Sequence, residues 1–223
     1  MYRSVYRWHS VVDARLGAAT GAVVVSKDAW NEWARSPIVV PLDASLRANA
    51  LRPSLGEIGV ADCTRPITVS QNRLSTVRGR LSAEESTAVT AALVSMLNVA
   101  HLINGTVPPQ PARPPAGWYP RFGSIYVDTL PVGGQEKMFA IVSDDRWNAT
   151  QRFVIGLRLT SKRKELRQGW EVPLTGGPAI VGDIHLIPTA RLEQTPPRPP
   201  RPAHCTPGQR AAIGRGLQLV LNL

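Results

Sequence analysis

An internal repeat is the feature that most constrains what this chain can fold into. Residues 23–43 and residues 140–160 align without gaps at an offset of 117. The matched positions carry residue types that seldom coincide by chance: Ser26 and Ser143, Asp28 and Asp145, Trp30 and Trp147, Asn31 and Asn148, Arg35 and Arg152. Self-similarity at a fixed offset is the signature of duplicated structural units. The sequence therefore predicts two divergent copies of one domain of about 100 residues, within the usual size range of a domain.

Matches outside this window extend the repeat and place its boundaries. Val12-Asp13 aligns with Val127-Asp128 at an offset of 115, and Arg73-Leu74 aligns with Arg191-Leu192 at 118. Residues 105–117 are rich in proline and lack hydrophobic periodicity, which is typical of a semi-extended spacer. We therefore predict domains at residues 1–104 and 118–223, joined by a linker at residues 105–117.

Hydrophobic patterning predicts that both copies are mainly β with a terminal helix. Short apolar runs, rich in β-branched residues, indicate strands. They lie near Val11-Val12, Ala22–Val25, Ile38–Leu42, Glu57–Ala61, Thr68-Val69, Ile125–Val127, Met138–Val142, Phe153–Leu159, Glu171–Leu174 and Asp183–Ile187. The Ser-x-Asp-x-Trp-Asn segments indicate a turn or a short helix, and Asp13 and Asp128 are expected to cap turns. Several short strands followed by one helix favour a small twisted barrel.

The predicted terminal helices have recognisable starts. Ser82 is followed three residues later by Glu85, the spacing of a capping box. Thr206 precedes Pro207, and proline is favoured at the first position of a helix.

Composition narrows the possible sites and the compartment. Two cysteines, Cys63 and Cys205, provide neither a disulfide framework nor a zinc site, so reduced thiols in a cytoplasmic protein are expected. Four scattered histidines show no metal-ligand spacing, and we expect neither a metal nor another cofactor. The first residues lack the apolar core of a signal peptide, and no run is long enough for a membrane helix.

Charge is concentrated in the second half of the chain. The whole sequence carries a formal net charge of +10, and residues 106–223 account for +7 of it. Basic residues crowd the segment from Arg158 to Arg167, with Lys162, Arg163 and Lys164 at its centre. Such a cluster attracts phosphate and supports salt-dependent binding of nucleic acid, although a solvated basic loop is the simpler alternative.

Ordered motifs in both copies resemble the MazF/PemK toxin family. Copy two contains Arg121-Phe122-Gly123-Ser124-Ile125-Tyr126-Val127-Asp128, similar to the family's R-G-D-[IV]-Y-x-V-D, and then a glycine-rich loop and the run Lys137–Asp145. Copy one contains Val39-Val40-Pro41-Leu42, similar to the family's V-V-P-L, and Arg78-Gly79-Arg80-Leu81-Ser82 before its helix. The resemblance extends over nearly the whole chain apart from the linker.

This resemblance implies a fold, an activity and partners. It implies two SH3-like small β-barrels of the CcdB/PemK type, which would pack as a covalent pseudo-dimer and would leave a further oligomer open. It also implies metal-independent cleavage of single-stranded RNA by attack of the neighbouring 2′-OH, and an antitoxin that occupies the same surface.

The family's catalytic arginine and threonine correspond to Lys137 and Thr160 in copy two. Lysine keeps the positive charge and can donate a proton, but it lacks the planar fork with which arginine grips a phosphate. Both residues have an ordinary alternative, as a solvated loop lysine and a strand-end threonine. Copy one has Thr20 and Asp43 at these positions, and Asp43 would repel a phosphate. We therefore expect copy one to be catalytically degenerate.

Other polar and aromatic residues of copy two are candidates for RNA binding. Asp183 and His185 correspond to polar positions that line the family's groove, and a histidine there can transfer protons near neutral pH. Trp118 and Tyr119 beside Arg121 can stack on bases, or they can close one end of the barrel. We expect Trp30 and Trp147 to pack within their turns.

Three functions remain open from the sequence. The first is a toxin-like endoribonuclease whose activity resides in copy two. The second is a catalytically inactive relative that binds nucleic acid or a protein partner, which the residues at positions 20, 43 and 137 favour. The third, supported least by the motifs, is a CcdB-like poison of gyrase.

Overall fold

The computed structural model describes residues 6–104, 106, 119–128, 137–160, 170–174, 177–193 and 203–223. Within this part, the chain forms a mixed α+β structure with two antiparallel sheets. It divides into two compact units. Unit 1 consists of Met1–Met96 with Gln218–Leu223, and unit 2 consists of Leu97–Leu217.

The sheet of unit 1 has five strands in the order β4-β3-β2-β1-β5. They are β1 (Ser10–Leu16), β2 (Ala19–Val24), β3 (Ile38–Leu42), β4 (Ile67–Thr68) and β5 (Leu74–Arg80). Helix α1 (Asp28–Ala34) connects β2 to β3, and helix α2 (Ala83–Met96) follows β5. Valine side chains dominate the core: Val12, Val24 and Val39 from three neighbouring strands are fully buried. Burial of this kind is what selects β-branched runs for strands.

The sheet of unit 2 has six strands in the order β11-β6-β7-β8-β10-β9. They are β6 (Ser124–Asp128), β7 (Lys137–Ile141), β8 (Phe153–Leu159), β9 (Glu171–Leu174), β10 (Gly177–Pro188) and β11 (Ala203–His204). Its helices are α3 (Val99–Ile103), α4 (Asp145–Asn148), α5 (Thr189–Glu193) and α6 (Pro207–Leu221). The end of α6 enters the residue range of unit 1.

The two units contain the same buried hydrogen-bonded turn between their second and third long strands. Ser26 Oγ donates to Asn31 Oδ1 at 2.5 Å and accepts from the Ile38 amide at 2.8 Å. In unit 2, Ser143 makes the corresponding bonds to Asn148 at 2.5 Å and Ile155 at 2.9 Å. The aspartates that begin the following helices also match, since Asp28 accepts from the Trp8 amide and Asp145 accepts from the Phe122 amide, both at 2.7 Å.

The first strands align at an offset one residue smaller than the sequence suggested. Val11 faces Val23 in unit 1, and Ile125 faces Ala140 in unit 2. Because positions 23 and 140 are already related by 117, the first strands are related by 114 rather than 115. At an offset of 114, Asp128 no longer corresponds to Asp13. Because side chains alternate between the two faces of a sheet, Asp13 and Asp128 lie on opposite faces of their respective sheets.

Both predicted helix starts are present. Ser82 and Glu85 exchange a reciprocal pair of bonds, from the Ser82 amide to Glu85 Oε2 at 2.8 Å and from the Glu85 amide to Ser82 Oγ at 3.2 Å. Thr206 and Gln209 make the same pair at 2.8 and 3.2 Å. A capping box satisfies amides that a helix leaves without intrahelical partners.

Two expectations about local structure were wrong. The strand predicted over Glu57–Ala61 is a short 3-10 turn at Gly56–Ile58, followed by single bridges at Val60 and Ala61. Gly56 and Gly59 have φ values of 57° and 115°, which interrupt an extended conformation. Asp13 and Asp128 were expected to cap turns, but both lie within strands and pair with arginines, Asp13 with Arg78 and Asp128 with Arg191.

The aromatic residue of the first repeated turn packs as expected. Trp30 is buried, and its Nε1 donates to the Ser36 carbonyl at 3.0 Å. Both cysteines are buried free thiols. Among the helices in the described part of the chain, none combines the length and the apolar character needed to cross a membrane.

Candidate functional site

Polar residues of unit 2 collect on one face of its sheet because of the strand register. Asp128, at the end of β6, lies opposite Lys137, at the start of β7. Two residues further along β7, Phe139 lies opposite Arg158 of β8. Directly opposed residues and alternate residues along one strand share a face, so these four side chains lie on the same face.

The two predicted catalytic residues lie on neighbouring strands. The β7–β8 pairing runs from Ile141 and Gly156 to Phe139 and Arg158. Lys137 begins β7, two residues before Phe139, and Thr160 directly follows the last residue of β8. The Thr160 amide donates to the Pro178 carbonyl at 3.0 Å, which fixes the end of β8 against β10. Lys137 and Thr160 are 23 residues apart in sequence, and both lie near the same end of this pair of strands.

Strand β10 adds a histidine and a carboxylate to this face. His185 lies opposite Gly156, and its Nε2 is 2.7 Å from Asp183 Oδ1. Arg158 Nη1 lies 3.8 Å from the other oxygen of Asp183. The His185 ring also packs edge-on against the Phe139 ring, with centroids 5.3 Å apart. Asp183 therefore holds a histidine and an arginine in fixed positions on one sheet face.

This hydrogen bond assigns the basic atom of His185. An ionised carboxylate only accepts hydrogen bonds, so Nε2 carries the proton that it donates to Asp183. In the neutral ring, Nδ1 is then the atom with the free lone pair. The register of β8 and β10 shifts between Ala179 and Ile184, next to this pair. Such bulges re-aim side chains and are frequent near active sites.

A second ion pair borders the same face. Arg191 of α5 binds Asp128 through two contacts, Nε to Oδ1 at 3.1 Å and Nη2 to Oδ2 at 2.6 Å. Asp128, Lys137, Phe139, His185 and Arg191 line one small pocket of about 130 Å³. Below the polar residues, the same face carries the apolar cluster of Tyr126, Phe139, Ile141, Val154, Ile187 and Leu192. The pocket is thus polar at its mouth and has an apolar floor.

The remaining predicted RNA-binding residues fall into two groups. Tyr119 is only 5% exposed, and the Arg121 guanidinium lies 4.2 Å from its ring centroid. So little exposed ring leaves no open face for a base, which favours a packing role for Tyr119. Trp118, Lys162, Arg163 and Lys164 lie outside the described residues.

Sequence reasoning missed three residues of this site. Asp128 was assigned to a turn, and Phe139 and Arg191 were given no functional role. Arg191 was part of the detected repeat, and its recurrence at position 73 was the available signal. Phe139 could have been found from alternation along β7, because it lies two residues after Lys137.

The corresponding positions of unit 1 have a different character. Gly21 lies opposite Leu42, and Thr20 and Asp43 are the next residues along the chain on either side of this pair. Ser45 donates to Asp43 from its hydroxyl at 2.6 Å and from its amide at 2.9 Å. These bonds, from the hydroxyl first and then the amide, lower the pKa of the Asp43 carboxyl. Unit 1 therefore presents a stabilised anion where unit 2 has Thr160.

The arrangement in unit 2 suits proton transfer and phosphate binding. It combines a lysine, a histidine oriented by a carboxylate, and two arginines that are already paired. Within the described ranges, no group of three His, Cys, Asp or Glu side chains is placed to hold a metal ion.

Several known proteins are similar to parts of this chain. An endoribonuclease from Mycobacterial species, solved in complex with its cognate antitoxin, is 18% identical over 40% of this chain and 90% of that one, with a TM-score of 0.37. MazF (Form-I) from Deinococcus radiodurans is 17% identical over 40% and 93%, with a TM-score of 0.36. The MazE-MazF structure (Form-II) from Deinococcus radiodurans is 16% identical over 46% and 95%, also with a TM-score of 0.36. Comparison with the curated proteins found no match.

A family model locates the resemblance within the chain. The model described as PemK-like, MazF-like toxin of type II toxin-antitoxin system matches residues 16–97. This range lies in the first half, whereas the motifs in the sequence suggested a resemblance over nearly the whole chain. The chain thus contains a PemK/MazF-like toxin family domain at residues 16–97.

Proposed function

We propose that the chain is a tandem pair of MazF-like domains in which the second domain, residues 118–223, cleaves single-stranded RNA without a metal ion. The observation that carries the proposal is the pocket that Lys137 shares with His185, whose ring is bonded to Asp183. The domain at residues 16–97 supports the toxin class. The matching Ser-Asn turns and capping boxes of the two units support duplication.

The proposed reaction uses the substrate's own nucleophile. His185 Nδ1 removes the proton of the 2′-OH, whose oxygen attacks the adjacent phosphorus. The bond from phosphorus to the 5′-oxygen breaks, and Lys137 donates a proton to that leaving oxygen. The products are a 2′,3′-cyclic phosphate and a 5′-hydroxyl end. Thr160 donates a hydrogen bond to the phosphate oxygens as they gain charge.

The substrate would be held largely by electrostatic attraction. Arg158 is partly exposed beside Asp183, and Lys162, Arg163 and Lys164 follow it in sequence. Cationic side chains that replace counterions of a nucleic acid give binding that weakens as salt rises. Arg121 and the tryptophan at position 118 belong to the same proposed surface.

The first domain would serve as a partner rather than as a second catalyst. Its Thr20 and Asp43 provide neither a cation nor an acid at the catalytic positions. We further propose that the two SH3-like halves act as a covalent pseudo-dimer, because a linker raises the effective concentration of each half for the other. An antitoxin segment is the proposed protein partner of the RNA surface.

The decisive experiment incubates the full chain with a long unstructured RNA in EDTA and maps the ends. Wild type should give discrete cuts with 2′,3′-cyclic phosphate ends. Lys137→Ala and Thr160→Ala should each lower the cleavage rate by about 100-fold or more, the range measured for general acid–base groups and for single transition-state hydrogen bonds. Thr20→Ala, at the corresponding position of the first domain, is the matched control and should cleave like wild type. Intact RNA with normal RNA binding would refute cleavage.

The second candidate is an inactive domain that only binds RNA or a protein. One specific observation favours it: Arg191 and Arg158 are already paired with Asp128 and Asp183, which leaves Lys137 as the principal cation of the pocket. Under this alternative, RNA stays intact in EDTA, and Lys137→Ala weakens binding without changing any cleavage pattern.

A further inference from the structure

Unit 1 contains a cavity whose lining includes none of the candidate site residues of unit 2. It has a volume of about 670 Å³ and lies where β1 begins, β5 ends and α2 runs past them. Its lining includes Trp8, His9, Arg80, Ser86, Thr87 and Thr90. Ligand cavities of several hundred Å³ that combine apolar walls with a few polar groups are typical of small-molecule sites.

Two buried polar atoms of this lining have no hydrogen-bond partner among the residues that the structure describes. His9 is 4% exposed, and its Nδ1 makes no hydrogen bond to any residue that the structure describes. The same holds for Nε1 of Trp8, whose ring stacks on that of His9 at a centroid distance of 3.7 Å. Buried donors and acceptors are nearly always paired in folded proteins. Both atoms are themselves shielded from solvent, so they mark an unusual local structure beside the cavity and are not contact points for a ligand.

The backbone at His9 is held in a conformation that disfavours a side chain. His9 has a φ of 59°, and its counterpart in unit 2 is Gly123, with a φ of 73°. The correspondence follows from their amides, which bond to the carbonyls of Val24 and Ile141. Strained non-glycine residues of this kind cluster at ligand sites. Unit 1 therefore retains an imidazole where unit 2 has none.

Unit 2 fills the space that unit 1 leaves open. Arg210 occupies it: its Cδ lies 3.4 Å from where a Cβ on Gly123 would be, and its Nη1 donates to the Cys205 carbonyl at 2.6 Å. Arg210 is four residues after the helix cap Thr206, and the residue four after Ser82 is Ser86. The cavity of unit 1 thus results from a serine in place of a long arginine.

Charge defines the chemistry of the occupant. Arg80 donates to the Trp8 carbonyl at 3.1 Å, and no carboxylate of the described residues lies within ion-pair distance of its guanidinium. Burial, and then the charge of Arg80, lower the pKa of His9 to about 4, so its ring is neutral at pH 7. Arg80 therefore lies beside the stacked rings of Trp8 and His9 without an acidic partner among the described residues. Such a site favours the binding of a planar, negatively charged ligand.

We propose that this cavity binds a small planar molecule that carries one anionic group, with the ring beside Trp8 and His9 and the anion on Arg80. Two sources share this chemistry, a nucleoside monophosphate and an aromatic carboxylate. The test therefore uses both, as uridine 5′-monophosphate and indole-3-acetate.

The experiment titrates each probe into the full ¹⁵N-labelled chain and follows the indole N–H signal of Trp8, assigned with Trp8→Phe. We expect one anionic probe to shift this signal saturably. Its uncharged counterpart, uridine or indole-3-acetamide, should bind at least tenfold more weakly. If neither anionic probe gives a saturable shift up to millimolar concentration, the proposal is wrong.

Three variants separate binding from folding. Ser86→Arg copies the filled state of unit 2 and should abolish the shift, and Arg80→Gln should weaken the anion at least tenfold while the uncharged probe is unaffected. His9→Gly should weaken binding although it relieves the backbone. Arg78→Gln, on the same strand but paired with Asp13, is the matched control and should bind like wild type. Unchanged binding by Ser86→Arg with a native spectrum would overturn the assignment of the cavity.

Discussion

Asn148 is tied to Ser143 in both directions. Ser143 Oγ donates to Asn148 Oδ1 at 2.5 Å, and Asn148 Nδ2 donates to the Ser143 carbonyl at 3.0 Å. Asn31 and Ser26 make the same two bonds at 2.5 and 3.1 Å. All four residues are buried, so each side chain completes a turn that water cannot enter.

Removing either asparagine should destabilise the protein. Asn148→Ala and Asn31→Ala each remove the acceptor of a buried serine O–H and the donor to a buried carbonyl, which costs about 1–3 kcal/mol per group. Urea unfolding followed by circular dichroism measures the change. The exposed Gln151→Ala in the same turn is the control and should stay within about 0.5 kcal/mol of wild type. Equal midpoints for Asn148→Ala and the control would contradict the role given to this turn.

Two glycines of α6 should respond in opposite ways to the same substitution. A Cβ at Gly214 would lie 2.6 Å from the Ile103 backbone nitrogen and 2.8 Å from Leu102 Cβ, so Gly214→Ala should cost about 1–3 kcal/mol. A Cβ at Gly208 meets nothing within 4 Å. Gly208→Ala should therefore be neutral or stabilise by up to about 1 kcal/mol, because alanine favours helix. Thermal unfolding of the two variants is the measurement, and a similar effect of both would refute this packing of α6.

Stability should fall in acid because of His9. Its folded pKa is about 4 against an ordinary value of 6.5, so folding favours the neutral ring. The contribution is complete above pH 6.5 and is lost as pH falls towards 4, since the unfolded chain then binds a proton that the folded chain excludes. Its full size is at most about 3 kcal/mol. His9→Gly should flatten the pH dependence of the urea midpoint over this range, and a profile parallel to wild type would argue against it.

Both cysteines should be inert in the folded chain. Burial is the main cause that raises the pKa of Cys205, to about 11, and it raises that of Cys63 further. Because the thiolate is the reactive form, iodoacetamide at pH 8 should label neither residue in the native protein and both after unfolding in urea. Mass spectrometry of the intact chain reads out the label. Rapid native labelling of either cysteine would show that its site is open.

If the second domain cleaves RNA, Asp183 should act through His185. Asp183→Asn keeps the shape but removes the charge that fixes the proton on Nε2, so the cleavage rate should fall at least tenfold. RNA binding should change little, which a filter-binding titration establishes. Rescue of the rate by Asp183→Glu would separate orientation of the histidine from a purely structural role. A rate that is unchanged in Asp183→Asn would remove His185 from the proposed reaction.

The elements predicted most accurately are those whose signals are local. Phe153–Leu159 and Glu171–Leu174 match β8 and β9 at both ends because short apolar runs bounded by polar residues report burial directly. The Ser82 and Thr206 caps were identified because a capping box is a short-range pattern. Strand β5 was missed, since most of Leu74–Arg80 is exposed and rich in arginine, and its place at the edge of the sheet depends on β1.

The candidate site was only partly predictable for a related reason. The family resemblance pointed to Lys137 and Thr160, but the surroundings of their side chains depend on the register of two strands, which hairpin geometry and the core fix together. The pairing of Asp128 with Arg191 joins residues 63 apart in sequence. The sequence around each of these residues does not indicate the other as its partner. The sequence alignment also matched Asp128 to Asp13, one residue away from its structural counterpart, so the role of Asp128 was not predicted.

Unit 1 includes residues from both ends of the sequence, so its parts are synthesised at different times. The Lys27 amide donates to the Val220 carbonyl at 2.7 Å, and both residues belong to unit 1. A ribosome adds about 5–20 residues per second, so about 10–40 s separate the synthesis of these two partners. The last strand of the sheet of unit 1 ends at Arg80, so 140 residues (220 − 80) are still to be added when that sheet has been synthesised. The first unit is therefore completed long after its own sheet has been synthesised, and during that time the nascent chain lacks the helical segment that accepts a hydrogen bond from Lys27.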